Sequence, residues 1–102
     1  MTSVEIRRVE TNKKQYLALL LLADEQEDMI DRYLERGSMY VLEDDGVKAE
    51  CVVTDEGGGV LELKNIAVEP DFQGKGYGKA LVDFLIRTYA GQYMLLQVGT
   101  GD

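Results

Sequence analysis

The stretch Val68-Glu-Pro-Asp-Phe-Gln73-Gly-Lys-Gly76-Tyr-Gly78-Lys79 constrains the fold more than any other part of the chain. It joins an apolar strand to an amphipathic helix through a loop made mostly of glycine and lysine. Glycine at such a junction lets backbone amides turn toward an anion with no Cβ in the way, and the helix that follows adds unpaired N–H groups and a positive dipole end. The layout is that of a phosphate cradle, and two familiar phosphate loops do not fit it. The nucleoside-triphosphate loop needs glycine where Gln73 stands and a hydroxyl where Ala80 stands. The dinucleotide fingerprint, started at Gly74, meets Gly76 correctly but finds Lys79 in place of its third glycine. What remains is Gln-x-x-Gly-x-Gly over residues 73–78.

The flanking patterns give this loop a context. Val4 to Val9 alternates as a half-buried strand. Thr11 or Asn12 is placed to cap a helix carrying Tyr16, Leu19, Leu20 and Ala23 on one face, and Asp24 with Glu27 marks a second helical start. The second helix carries Met29, Ile30, Tyr33 and Leu34 and stops at Gly37. Met39–Glu43 and Val47–Thr54 flank Asp45-Gly46 as a hairpin, and the glycines after Glu56 turn into Val60–Val68, whose alternation breaks near Asn65-Ile66. Past the loop, Tyr77, Ala80, Leu81, Phe84, Leu85 and Thr88 share a helical face that Gly91 ends, before a last strand at Tyr93–Val98. Strand, helix and strand of this length make the flanking strands parallel. The expected class is α/β (α+β), a mixed, mostly antiparallel sheet flanked by helices, in the order β-α-α-β-β-β-α-β.

Composition narrows the chemistry. A chain of 102 residues makes one domain, here 1–102, burying roughly 60 to 70% of its unfolded surface. Its net charge of −8, from 19 acids against 11 bases, argues against nucleic acid and favours a cationic partner. Lys75 and Lys79 run against that sign beside the glycine loop. No apolar run is long enough to span a bilayer and no secretory layout opens the chain, so no membrane partner and a cytoplasmic address are expected. Cys51, the only cysteine, reads as a buried strand residue, and with no histidine in the chain no metal site is expected. Any general base must then be a carboxylate, a lysine, a tyrosine, or water relayed through one of these.

From Leu63 through the proline, the Gln-x-x-Gly-x-Gly loop and on to Leu81, the sequence resembles the core motif of the GNAT superfamily of acyl-CoA-dependent N-acetyltransferases. The resemblance implies acetyl-CoA as cofactor, a small-molecule or peptide amine as acceptor, and direct attack of that amine on the thioester. It implies that backbone amides over Gly74, Lys75, Gly76, Tyr77, Gly78 and Lys79, beside Gln73, hold the pyrophosphate, that the backbone of Ile66, Ala67 and Val68 pairs with the pantetheine arm, and that an amide near Ala67 or Val68 meets the oxyanion. Glu62 is the candidate base, because one branch of the family carries a glutamate at the matching offset; the competing reading is a strand glutamate paired with Lys64. Tyr40, Tyr89 and Tyr93 are conceivable acids that read better as packed aromatics. The fold so implied extends beyond Asp102, so the chain is expected to hold the N-terminal two thirds of it, truncated after the fifth strand, as a fragment or as a core completed by another chain, with a homodimer among the options. The alternatives are a CoA-binding module without catalysis and a small α/β domain whose loop is a mere turn.

Overall fold

The computed structural model describes residues 4–98. Five strands form one sheet in sequence order: β1 (Glu5–Val9), β2 (Ser38–Glu43), β3 (Val47–Gly57), β4 (Val60–Val68) and β5 (Leu95–Val98). The first four pair antiparallel, and β4 pairs with β5 in parallel. The element order and the parallel closing pair are those expected from the sequence.

Both hairpins turn where glycine and aspartate allow it. Asp45 and Gly46 take φ of 57° and 96°, and Gly57, Gly58 and Gly59 all lie at positive φ, a run that side-chain-bearing residues would resist. Backbone N–H groups of Met94 and Leu95 donate to the Gly59 carbonyl, which brings the start of β5 beside the second turn.

Alternation along the strands builds two cores. Tyr40, Leu42, Ala49, Cys51, Val53, Leu61 and Leu63 face α3 (Tyr77–Tyr89), which contributes the fully buried Leu81 and Leu85. Val9, Met39, Val41 and Val52 face the other layer, a 3-10 turn at Lys13–Tyr16 running into α1 (Leu17–Ala23), then α2 (Glu27–Asp31), from which Leu20, Ile30, Tyr33 and Leu34 are buried. Burying each such aliphatic side chain is worth about 1.5–3 kcal/mol. Cys51 is fully buried, as expected. In α3 the inward stripe ends on Tyr89 rather than Thr88, which is exposed.

The helix starts differ from the sequence expectation. Asn12 precedes the 3-10 turn in left-handed conformation with no side-chain cap, and α2 begins after Gln26, again uncapped. The Asp24 carboxylate is taken instead by the Tyr33 hydroxyl, at 3.3 Å. The end of the helical layer is capped from afar: the buried Lys13 ammonium donates to the carbonyls of Leu34 and Gly37, each at 2.8 Å. Gly37 lies so close to the sheet that a Cβ there would stand 2.8 Å from Val52 Cγ1.

Candidate functional site

The site grows out of one irregularity in β4. Val52 pairs with Asn65 and Val53 with Leu63, so Lys64 is an extra residue, a β-bulge at the point where the sequence alternation falters. On the other side β5 accompanies β4 only from Val60↔Leu95 to Leu63↔Val98. Among the described residues, the edge of β4 facing β5 therefore has no strand partner from Lys64 to Val68.

A cavity of about 310 Å³ lies along this open edge, lined by Leu22 of α1, by Ile66, Ala67 and Val68, and by Gln73 and Gly78 of the loop. Gly74 and Gly76 adopt φ of 81° and 87° with nothing near where a Cβ would stand. Gly76 is the cap residue of α3, whose first internal bond runs from Ala80 N–H to the Gly76 carbonyl, leaving the amides of Tyr77, Gly78 and Lys79 without an intrahelical acceptor. A Cβ on Gly78 would stand 3.7 Å from Val68 Cγ2, on the cavity wall. These are the features of a cradle for a phosphate-bearing ligand, and they fit the group that the glycine spacing implied.

Around that cradle the side chains are spent on the protein itself. Gln73 Nε2 donates to the Val68 carbonyl at 3.2 Å. The Tyr77 hydroxyl donates to Asp44, and Lys79 pairs with Asp83 at 2.8 Å, while Lys75 is exposed. What the loop offers a ligand is backbone.

A larger cavity, about 650 Å³, opens on the bulge side between β4 and the helical layer. Its walls carry both signs of charge: Asp24, Glu25 and Glu62 against Arg32, Arg36 and Lys64. Ile66 lines this cavity as well as the smaller one. Glu62 stands at its edge, ion-paired with Lys64 and accepting from Gln97 Nε2 at 2.5 Å. The Lys64 contact, with help from Gln97, holds its carboxyl below the usual carboxylate range. The candidate base and its competing ion-pair reading thus coexist at one residue.

Tyr33 and Asn65 in the lining of this cavity belong to a polar cluster that was not expected from the sequence. Asn65, turned toward the helices by the bulge, donates from Nδ2 to the Leu20 carbonyl at 3.1 Å and to the Tyr33 hydroxyl at 3.0 Å. Burial, foremost, raises the Tyr33 phenol to about 12. Glu50, on the same face of β3, is fully buried, and neither of its carboxyl oxygens has a partner. Burial alone pushes its pKa up to about 8. The available signal was an acid inside the otherwise apolar run Ala49-Glu-Cys-Val-Val. The tyrosines considered as acids are engaged elsewhere: the Tyr40 and Tyr89 hydroxyls share a 2.6 Å hydrogen bond, and Tyr93 donates to Asp55 at 3.0 Å.

Comparison with known proteins agrees with this geometry. The family of the acetyltransferase (GNAT) domain matches residues 35–100. An uncharacterized N-acetyltransferase of Bacillus subtilis, YvbK, is 38% identical over 95 residues, covering 91% of this chain and 61% of its own length. Among solved structures, an IAA acetyltransferase from Bacillus cereus superimposes with a TM-score of 0.84 at 40% identity, over 98% of this chain and 67% of that one. A GNAT family acetyltransferase from Elizabethkingia anophelis with acetyl-CoA bound gives 0.88 at 31% identity, over 97% and 66%. The chain thus spans about 61% of the length of the curated relative it matches. Among the described residues, no helix is long and apolar enough to cross a membrane.

Proposed function

This chain belongs to the acetyltransferase (GNAT) family, and from that premise we propose that it transfers the acetyl group of acetyl-CoA to a primary amine by direct attack. The observation that carries the reading is the meeting of two cavities at Ile66, one walled by the glycine loop and the other by charged side chains. The first suits the acyl donor and the second the acceptor.

The donor supplies an activated thioester; the protein supplies position. Amides over Gly74 to Lys79, at the start of α3, receive the pyrophosphate, favoured by the helix dipole. The open edge of β4 at Ile66, Ala67 and Val68 takes the pantetheine arm in strand fashion. An amide near Ala67 or Val68 faces the carbonyl oxygen as it gains charge, a donor worth about 2–4 kcal/mol in such a site.

An alkyl ammonium with a pKa of about 10.4 must lose a proton before it can attack. Glu62 takes that role in the proposal: ionised at neutral pH, at the acceptor cavity, and oriented by Lys64 and Gln97. The carboxylate also attracts the ammonium that has to be bound at the acceptor cavity.

Calorimetry with acetyl-CoA tests the reading. Binding in the micromolar range, on the order of −8 kcal/mol, is expected. A folded protein that gives no heat with acetyl-CoA refutes it. Binding without transfer to any of a broad amine panel favours a CoA-binding module instead.

A further inference from the structure

Glu50 is an anomaly that the proposed reaction does not use. A buried carboxyl with both oxygens unpartnered is costly to keep, and a core position in mid-strand would be served better by an apolar residue. Its place in the sheet is specific. Glu50 pairs in register with Ala67, and Ala67 lines the donor cavity. Asn65, two residues back along β4 on the same face, has its own buried Oδ1 unpartnered. Diagonal neighbours of this kind lie about 7–8 Å apart at the backbone, within reach of long side chains. The three unpartnered oxygens therefore gather on one face of β3 and β4, next to the segment proposed to hold the thioester.

The geometry points to Glu50 as the proton donor to the departing CoA thiolate. The inference rests on the acetyl transfer proposed above. The ammonium loses one proton to Glu62; the amine nitrogen forms a bond to the carbonyl carbon; the carbon–sulfur bond breaks with its electron pair going to sulfur; and the thiolate takes the Glu50 proton, directly or over one water. The second proton of the former ammonium restores Glu50, and the first leaves Glu62 for solvent, so the sum is amide, thiol and one released proton.

The two glutamates are set apart by their surroundings. Lys64 keeps Glu62 ionised, while burial keeps Glu50 protonated at neutral pH, with a value of about 8. Two carboxyls pushed in opposite directions are the pattern of a base and an acid. The titratable group beside Glu50 on the helical side is Tyr33, with Asp24 behind its hydroxyl. Lys13, also buried in that layer, commits its ammonium to backbone carbonyls, and Cys51 points into the opposite core. From the neighbouring strands Val41 and Ala67 stand opposite Glu50, neither titratable.

The test compares the full chain with E50Q and E50D, using calorimetry with acetyl-CoA and turnover from pH 6 to 10 on tyramine, spermidine and an alanyl peptide. Wild type is expected to lose kcat as pH rises through about 8. E50Q is expected to bind acetyl-CoA within about twofold of wild type, to lose about a hundredfold in kcat, and to lose that alkaline fall, whereas E50D retains it. Carboxyl 13C titration of the unliganded wild type, which needs no variant to fold, is expected to find one glutamate titrating near pH 8. Wild-type turnover and pH profile in E50Q, loss of acetyl-CoA binding in E50Q, or a titration in which every glutamate ionises below about pH 6 overturns the assignment. A wild-type protein that does not bind acetyl-CoA removes the acetyl-transfer reading and this one together; wild-type transfer with an unaffected E50Q removes only this one.

Discussion

The two sides of β4 are built from different material. On the proposed donor side, what is offered to a ligand is backbone: glycines at positive φ, the free amides of the first turn of α3, and a strand edge with no partner beyond Leu63 among the described residues. Three of the side chains there, Gln73, Tyr77 and Lys79, bond to the protein itself, at Val68, Asp44 and Asp83. On the proposed acceptor side, side chains make the wall, with acids from the loop after α1, arginines from the turn after α2, and Glu62 and Lys64 at the bulge. A backbone cradle accepts one kind of ligand and tolerates change in most of its side chains. A side-chain wall can be redrawn residue by residue.

The largest effect expected from breaking the donor side alone comes from G78D. The new Cβ meets only Val68 Cγ2, at 3.7 Å, and a carboxylate in the first turn of a helix is well tolerated, so the fold should hold. The carboxylate would stand where phosphate charge is to be received. Acetyl-CoA affinity should fall on the order of a hundredfold, about 3 kcal/mol, with Tm little changed. Calorimetry beside a thermal melt separates the two, and undiminished binding would revive the reading of this loop as a mere turn.

Breaking the acceptor side should leave the donor side intact. E62Q keeps the shape of the side chain and removes its charge, so kcat should drop by about tenfold to a hundredfold while acetyl-CoA binding stays the same. Lys64 would lose its partner at the same time and keep only its longer contact to Glu56, at 4.0 Å. If turnover survives, the glutamate is only half of an ion pair, and the base lies elsewhere.

This division also explains what was legible in the sequence. The loop could be read because backbone recognition leaves a trace in glycine spacing, and the sheet because Asp45-Gly46 and the glycine run ending at Gly59 announce their turns. The bulge showed as a break in alternation, one residue away from where it sits at Lys64. The acceptor wall left no such trace. Arg32, Tyr33 and Arg36 lie far along the chain from Glu62 and Lys64 and meet them only through the packing of the helical layer on the sheet. The cap expected at Asp24 failed for a related reason: Asp24 found a tertiary partner in Tyr33, which outweighed the local hydrogen bond that a cap would have given.

The two glutamates offer a smaller, thermodynamic contrast. The native pKa of Glu50 is raised from 4.5 to about 8, so between those values the native state holds a proton that the unfolded chain has lost. Stability should therefore fall as pH rises through that window and level off above it, by up to a few kcal/mol. Glu62, whose native pKa is lowered, acts in the opposite sense: its contribution is present above its unfolded value and lost as pH falls below it. Urea unfolding of wild type and E50Q across pH 4 to 9 should show the decline in the first and a flatter curve in the second. Parallel curves would mean that Glu50 ionises normally in the native state.

The smallest expected effect sharpens the comparison most, because it asks whether charge adds anything to the backbone cradle. Lys75 is exposed, and the Lys79 ammonium is already answered by Asp83. An exposed ammonium near a phosphate contributes about 0.3–1 kcal/mol, screened over a distance of about 8 Å at physiological ionic strength. K75A should then weaken acetyl-CoA binding about twofold to fivefold in dilute buffer and by almost nothing in half-molar salt, and K79A should do less at either. A salt-insensitive loss as large as that of G78D would mean that the lysine side chain, and not the amide it carries, holds the pyrophosphate. In that case the contrast between a backbone side and a side-chain side fails where it is drawn most sharply.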